Sequence, residues 1–181
     1  MRVIAGEARG RKLKGPPPGV RPTSDLVRGA LFDALAAQEV EWTRVLDLYA
    51  GSGALGIEAL SRGGEWCDFV EQLTAVAAVI RENVASAGMA QRGKVHRCRA
   101  ERAAERLVGP YSLVLADPPY DDGKAIEIMS AIAASGLVAA GGTVVLEQSS
   151  RAAAPESLGD LARYWNRRYG DTQLSMYRCG M

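Results

Sequence analysis

The stretch that most restricts this chain is Val45-Leu-Asp-Leu-Tyr49, continued by Gly51, Gly53 and Gly56 and by an apolar run that stops at Gly63-Gly64. The short apolar segment has the make-up of a buried strand. The glycines supply a tight turn, and the run behind them is a helix closed by glycine. Strand, glycine turn and helix form the unit in which a parallel sheet holds a nucleotide-like ligand, because the backbone can close on the ligand beside a helix N-terminus. The spacing Gly51-x-Gly53-x-x-Gly56 satisfies the dinucleotide fingerprint, with Glu71 twenty residues after Gly51 to meet ribose hydroxyls.

Asp47 changes which ligand fits. It stands four residues before Gly51, where a dinucleotide would bring its pyrophosphate, and a carboxylate there repels phosphate. The same carboxylate suits an ammonium group such as that at the methionyl end of S-adenosylmethionine (SAM). Asp-x-x-x-Gly-x-Gly, with an acidic residue ending the next strand, resembles motif I of the Rossmann-like methyltransferases. The cofactor-binding candidates on this reading are Asp47, Tyr49, Ala50, Gly51 and Gly53, with Glu71 and Gln72 at the end of the following strand.

A second signal lies downstream. Tyr111-Ser-Leu-Val-Leu-Ala116 is a buried strand that runs into Asp117-Pro-Pro-Tyr120. This tetrapeptide resembles motif IV of methyltransferases that modify exocyclic or amide nitrogens. An aromatic amine is a poor nucleophile because its lone pair is delocalised into the ring. A carboxylate and a backbone carbonyl can each accept one N–H bond and so turn the lone pair toward a methyl donor. Asp117 supplies the carboxylate, and Pro118 fixes the backbone that presents the carbonyl. Tyr120 offers a ring on which an extruded base stacks. Taken alone, the tetrapeptide would serve guanine, adenine, cytosine or a glutamine amide.

Composition bounds the alternatives. A chain of 181 residues suits one domain with a covered central sheet. No apolar run approaches a membrane span, and the basic, proline-rich N-terminal stretch has no signal-peptide core, which points to a cytoplasmic protein. Cys67, Cys98 and Cys179 match no zinc or redox spacing and read as buried free thiols. His96, the single histidine, falls inside an expected strand, where a structural role is expected. A Ser-His-Asp or metal mechanism therefore has little to work with, and no metal site is expected. The net charge of +1 hides an asymmetry: residues 1–28 hold seven basic and two acidic groups, the remainder 15 basic and 19 acidic. A basic arm or small hairpin over 1–22, ahead of a main domain over 23–181, suggests a polyanionic partner. Arg9, Arg11 and Lys12 are the candidate RNA contacts, joined by Arg21 and Arg28 around the start of the first helix.

The remaining elements follow in order. Arg2-Val-Ile-Ala-Gly6 suits an edge strand or hairpin, and Gly15-Pro-Pro-Pro-Gly19 a stiff connection. Pro22-Thr-Ser-Asp25 marks a helix start capped by Thr23 or Ser24, with Leu26, Ala30, Leu31, Ala34 and Leu35 as its apolar stripe. Trp66–Glu71 and Lys94–Arg99 are further strands, with a helix over 73–87 between them. A helix over Ala125–Ser135 precedes a fifth strand over Gly142–Glu147, and 151–161 is a loop or short helix. Segments 163–169 and 172–178 flank Gly170-Asp171 as a hairpin. Strands alternating with helices imply a doubly wound, mostly parallel α/β sheet of the Rossmann-like type with a C-terminal antiparallel hairpin. Both key motifs then sit at carboxyl ends of strands near the switch point, where such sheets bind ligands.

With these residues in view, the chain resembles the bacterial RsmD family, the 16S rRNA guanine-N(2) methyltransferases. The resemblance runs nearly end to end. It rests on Arg2-Val-Ile-Ala-Gly6, Arg9-Gly-Arg-Lys-Leu13, Arg21-Pro-Thr-Ser-Asp-Leu-Val-Arg28, Leu31-Phe-Asp, Asp47 through Gly56, and Asp117-Pro-Pro-Tyr120. It implies methyl transfer from SAM to the 2-amino group of a guanine in 16S rRNA, naked or in a partly assembled small subunit, by a monomer. Asp47, Gly51 and Gly53 would hold the methionyl end, Glu71 the ribose, and Ala100 or Glu101 the adenine side. Ala100-Glu101 departs from the Asn- or Asp-containing pattern more usual there. Three rival readings are a DNA adenine methyltransferase, an NAD-dependent oxidoreductase and a non-catalytic RNA-binding protein. They are disfavoured respectively by the lack of a long target-recognition insertion, by Asp47, and by the intact segment from Asp117 to Tyr120.

Overall fold

The computed structural model describes residues 1–15, 24–119 and 123–179, the last of these by its backbone only. Arg21, Thr23 and Tyr120, together with the proline run and the side chain of Cys179, lie outside the described residues. Helix α1 (Asp25–Ala37) leads to β1 (Arg44–Leu48), α2 (Ala54–Ser61), β2 (Trp66–Glu71), α3 (Thr74–Ser86) and β3 (Gly93–Arg97). A 3-10 turn (Ala100–Arg102) and the short α4 (Ala103–Arg106) precede β4 (Tyr111–Ala116), α5 (Ala125–Ala134) and β5 (Val138–Ser149). The chain continues with β6 (Ser157–Leu158), β7 (Leu161–Tyr169) and β8 (Thr172–Cys179).

Among the described residues, eight strands join one sheet in the order β3-β2-β1-β4-β5-β8-β7-β6. The five strands from β3 to β5 are parallel, and β8, β7 and β6 add antiparallel to the β5 edge. Strand order reverses at β1, which pairs with β2 on one side and β4 on the other. Leu48 is in register with both Val70 and Ala116, so the residues just beyond these positions meet at one carboxyl edge.

Near-continuous apolar runs in β1, β2 and β4 are what burial on both faces requires. Val45, Phe69, Leu113, Leu115 and Val145 face the side covered by α1, α2 and α3. Leu46, Leu48, Val70, Val114 and Leu146 face the side covered by α5. Each such side chain removed from water contributes about 2 kcal/mol, so the inner strands anchor the fold. The C-terminal hairpin turns at Gly170, whose φ of +60° is the value a two-residue turn needs at its first position.

Ser24 caps α1, its side chain accepting from the Val27 amide. The buried face of α1 differs from the expected stripe: it consists of Val27, Arg28, Leu31, Phe32 and Leu35, while Leu26 is 77% exposed. Arg28 causes the rotation, because a guanidinium met by carboxylates takes a core-facing position that the apolar pattern did not allow for. Segment 151–161 also departs from expectation, since it contains the two-residue strand β6.

The first residues fold back as a hairpin, with Arg2 bridged to Lys12 and backbone bonds from Val3 N to Arg11 O and from Leu13 N to Met1 O. Val3, Ala8 and Leu13 are buried in the same core as α1 and α2. Gly6, at φ +82°, lies so close to α2 that a Cβ would stand 1.7 Å from the Ser61 carbonyl oxygen. Among the described residues no helix is long and apolar enough to cross a membrane.

Candidate active site

The loop after β1 is shaped by three residues at positive φ: Tyr49 (+57°), Gly51 (+55°) and Gly53 (+76°). Glycine adopts this backbone freely, whereas in tyrosine it costs about 1–3 kcal/mol, and such strain concentrates where a site over-determines its backbone. The Ala50 amide bonds to Val70 O at 3.0 Å, and the Gly53 amide closes on Ala50 O at 2.7 Å. Gly56 serves packing, because a Cβ there would lie 2.4 Å from Phe69 Cε1 and 2.6 Å from Cys67 Sγ. The amide face of α2 is thereby drawn tight against the sheet.

Three carboxylates converge at this edge. Asp47 is 1% exposed, and its Oδ2 accepts from the Gly56 amide at 2.9 Å. Burial pushes its carboxyl well above the usual range; the Gly56 bond pulls the other way, and the like charges of Asp117 and Glu71 push up again. Glu71 ends β2 with Oε2 accepting from the Gly51 amide at 3.2 Å and Oε1 from the Leu73 amide at 2.8 Å. It therefore ties the glycine loop to β2 and keeps spare lone pairs for a ligand hydroxyl. Asp117 follows β4 directly and is partly exposed, Pro118 is buried, and Pro119 is exposed. Gln72 lies exposed beside Glu71, Ala100 is buried at the head of the 3-10 turn, and Glu101 is exposed in that turn. The structure thus brings Asp47, Glu71 and Asp117 together across adjacent strand ends.

A buried carboxylate beside two others is costly unless a cation joins it. The donor set fits the ammonium and sulfonium charges of SAM, and it opposes the phosphates of a dinucleotide. Tyr120, the stacking candidate, is outside the described residues.

Sequence reasoning missed the group that fastens the N-terminal hairpin to α2. Glu58, fully buried on α2, accepts from the Ile4 amide at 2.8 Å, the Ala5 amide at 3.0 Å and Arg62 Nε at 2.8 Å. Arg28, expected among the RNA contacts, is likewise fully buried: it bonds Asp25 at 3.0 Å and the Arg2 carbonyl, and lies 3.7 Å from Glu58. It braces the hairpin internally and is withdrawn from the RNA-facing set. Asn83 completes the fastening, donating to Lys14 O and to Ser52 O, both at 2.9 Å, while accepting from the Lys14 amide. Its place on α3, a helix whose other buried residues are apolar, was the one signal in the sequence. Arg9, Arg11 and Lys12 are exposed on the hairpin.

His96 sits in β3 with Nε2 2.7 Å from Asp68 Oδ1, a cross-strand contact within the sheet that suits a structural role. Cys67 and Cys98 are buried free thiols, and burial raises the pKa of each, which suppresses reactivity.

The chain is similar to several known proteins. A small-subunit ribosomal RNA methyltransferase D of Escherichia coli (strain K12) is 38% identical over 140 residues, covering 77% of this chain and 70% of that protein. The YlbH protein of Bacillus subtilis (strain 168) is 36% identical over 183 residues, covering 98% of each chain. Among solved structures, the yhhF protein of Escherichia coli superposes with a TM-score of 0.86 at 31% identity, covering 100% of this chain and 99% of that one. The family model described as conserved hypothetical protein 95 matches residues 1–178. The chain belongs to that family, the RsmD family of methyltransferases.

Proposed function

We propose that the protein transfers a methyl group from SAM to the exocyclic 2-amino group of a guanine in small-subunit (16S) rRNA. The observation that carries this reading is the meeting of Asp47, Glu71 and Asp117 at neighbouring strand ends, one a buried carboxyl pushed up by burial and by the other two. Bound SAM supplies an electrophilic methyl group on a positively charged sulfur. Asp47 and the Gly51–Gly53 backbone hold its methionyl end, Glu71 and Gln72 its ribose, and Ala100 or Glu101 its adenine side.

Asp117 and the Pro118 carbonyl each accept one N–H of the target amine, which aims the nitrogen lone pair along the line of displacement. Tyr120 stacks on the base. The nitrogen gains a bond to carbon as the methyl–sulfur bond breaks, and the methylated nitrogen is acidic enough to release its proton to solvent without a strong base. The 2-amino group lies on the Watson–Crick edge, so the base must be unpaired or extruded. Arg9, Arg11, Lys12 and Arg21 contact phosphates around it. The relative named for small-subunit rRNA supports this substrate class, and the protein acts as a monomer.

The test is transfer of labelled methyl from SAM to naked 16S rRNA, assembled small subunits and DNA, with nucleoside analysis of the products. N(2)-methylguanosine in either rRNA substrate is the expected result. Methyladenine in DNA would keep the chemistry and overturn the substrate.

A further inference from the structure

The most basic part of the chain outside the N-terminal hairpin is residues 92–106, which hold six basic and two acidic groups. The rest of residues 29–181 holds nine basic and 17 acidic groups, so this segment stands against a strongly acidic background. Among the described residues it forms the free edge of the sheet: β3 pairs there only with β2, and the 3-10 turn and α4 follow at once. Lys94, Arg97, Arg99, Arg102 and Arg106 are all exposed. Their sides differ. Arg97 is in register with Glu71 on the α3 face, whereas Lys94 is in register with Asp68 on the opposite face, so positive charge wraps around the edge strand.

This surface is joined to the hairpin through α3. Arg11 donates to Ser86 O at 3.1 Å and Lys14 pairs with Glu82, which seats the hairpin on one flank of α3. Arg81, exposed, lies on the other flank by helical periodicity, toward β3. Arg92, pairing with Glu7, links the start of β3 back to the hairpin tip. Hairpin, α3 flank and β3 edge make one band on the outside of the sheet, and Glu71 of the candidate cofactor site is in register with Arg97 at the carboxyl end of β3.

We infer that the β3 edge is a second RNA-binding surface, which engages the phosphate backbone of the substrate rRNA flanking the target nucleotide. This rests on the proposed function for the identity of the polyanion. Charged side chains on a free edge strand also discourage sheet-to-sheet aggregation, and the two roles separate under charge reversal. Glutamate protects an edge as well as lysine does, but it repels phosphate.

The experiment compares the full chain with its Arg81→Glu/Lys94→Glu/Arg106→Glu variant, three sites clear of the carboxylate cluster. Binding to a 16S rRNA transcript is followed by anisotropy over a potassium chloride series, with SAM affinity measured alongside by calorimetry. The expected result is RNA binding weakened about tenfold or more at low salt and a salt slope reduced by about 2, as loss of three phosphate contacts requires. SAM affinity stays unchanged. Wild-type RNA affinity and slope in the variant would overturn the inference. Should the triple variant fail to fold, Lys94→Glu and Arg106→Glu singly must each lower the slope by about 0.7, and an unchanged slope in both overturns it equally. Absence of methyl transfer by a wild-type protein that still binds the transcript would instead sink the proposed reaction.

Discussion

Asp47 and Asp68 stand on adjacent strands of one sheet, both buried, and end in opposite electrostatic states. Asp68 receives Trp66 Nε1 at 2.8 Å, the Tyr111 hydroxyl at 2.8 Å and His96 Nε2 at 2.7 Å, with Arg44 at 3.9 Å. Burial pushes its carboxyl up, but those hydrogen bonds and the His96 charge outweigh burial and leave it lowered. Asp47 has one backbone amide and two neighbouring carboxylates, so it is left raised. A carboxylate that the fold satisfies holds structure; one that the fold leaves electrostatically hungry awaits a ligand. The proposed preference of the site for a cation would follow from this difference between two aspartates on neighbouring strands.

The largest expected effect tests the functional end. Asp117→Ala lowers methyl transfer by about a thousandfold, about 4 kcal/mol, as expected for loss of an acceptor that orients the reacting group. Circular dichroism and RNA binding should match wild type; activity within tenfold of wild type would break the mechanism. Next comes Asp68→Ala, which strands three donors around a vacancy and costs about 3 kcal/mol of stability. Urea denaturation measures it, and the folded fraction should still bind SAM as wild type does.

Asp47→Asn reverses that pattern. SAM affinity falls by about 2 kcal/mol, roughly thirtyfold, while the protein without SAM melts no lower than wild type, because a costly buried charge has gone. A clear loss of stability would put Asp47 in the same class as Asp68.

The smallest effect is the pH response, which carries opposite signs at the two sites. The lowered carboxyl of Asp68 contributes stability above its unfolded value, and this is lost as pH falls through the folded value. The raised carboxyl of Asp47 binds its proton more tightly in the folded state, so its contribution falls as pH rises from the unfolded value to the folded one. Thermal melts from pH 7 down to pH 4 should therefore show Asp47→Asn losing stability more steeply on acidification than wild type. Parallel curves would deny the raised state of Asp47.

Much of the active edge was legible because its signals are local. The limits of β2 and β4 coincide with the apolar runs read from the sequence, and Ser24 caps α1 where a hydroxyl was expected. The fastenings were not legible, because a charged residue in a sequence reads as solvent-facing until its partner is known. Arg28 is buried only because Asp25 and Glu58 meet it, and Glu58 is buried only because amides from residues 53 and 54 positions away reach it. His96 likewise finds Asp68 across 28 residues. The acidic average of the main domain also concealed the basic β3 edge, which emerges only when the segment is placed on the sheet.

The fastening of the hairpin orders events in time. Glu58, Ser61 and Asn83, which hold residues 4 to 14, lie between 53 and 69 positions downstream of the groups they bind. A growing chain therefore has nothing on which to seat its hairpin until α2 and α3 have formed, so its docking is a late, long-loop event. The phosphate contacts proposed for the hairpin would then become available only once α2 and α3 are in place.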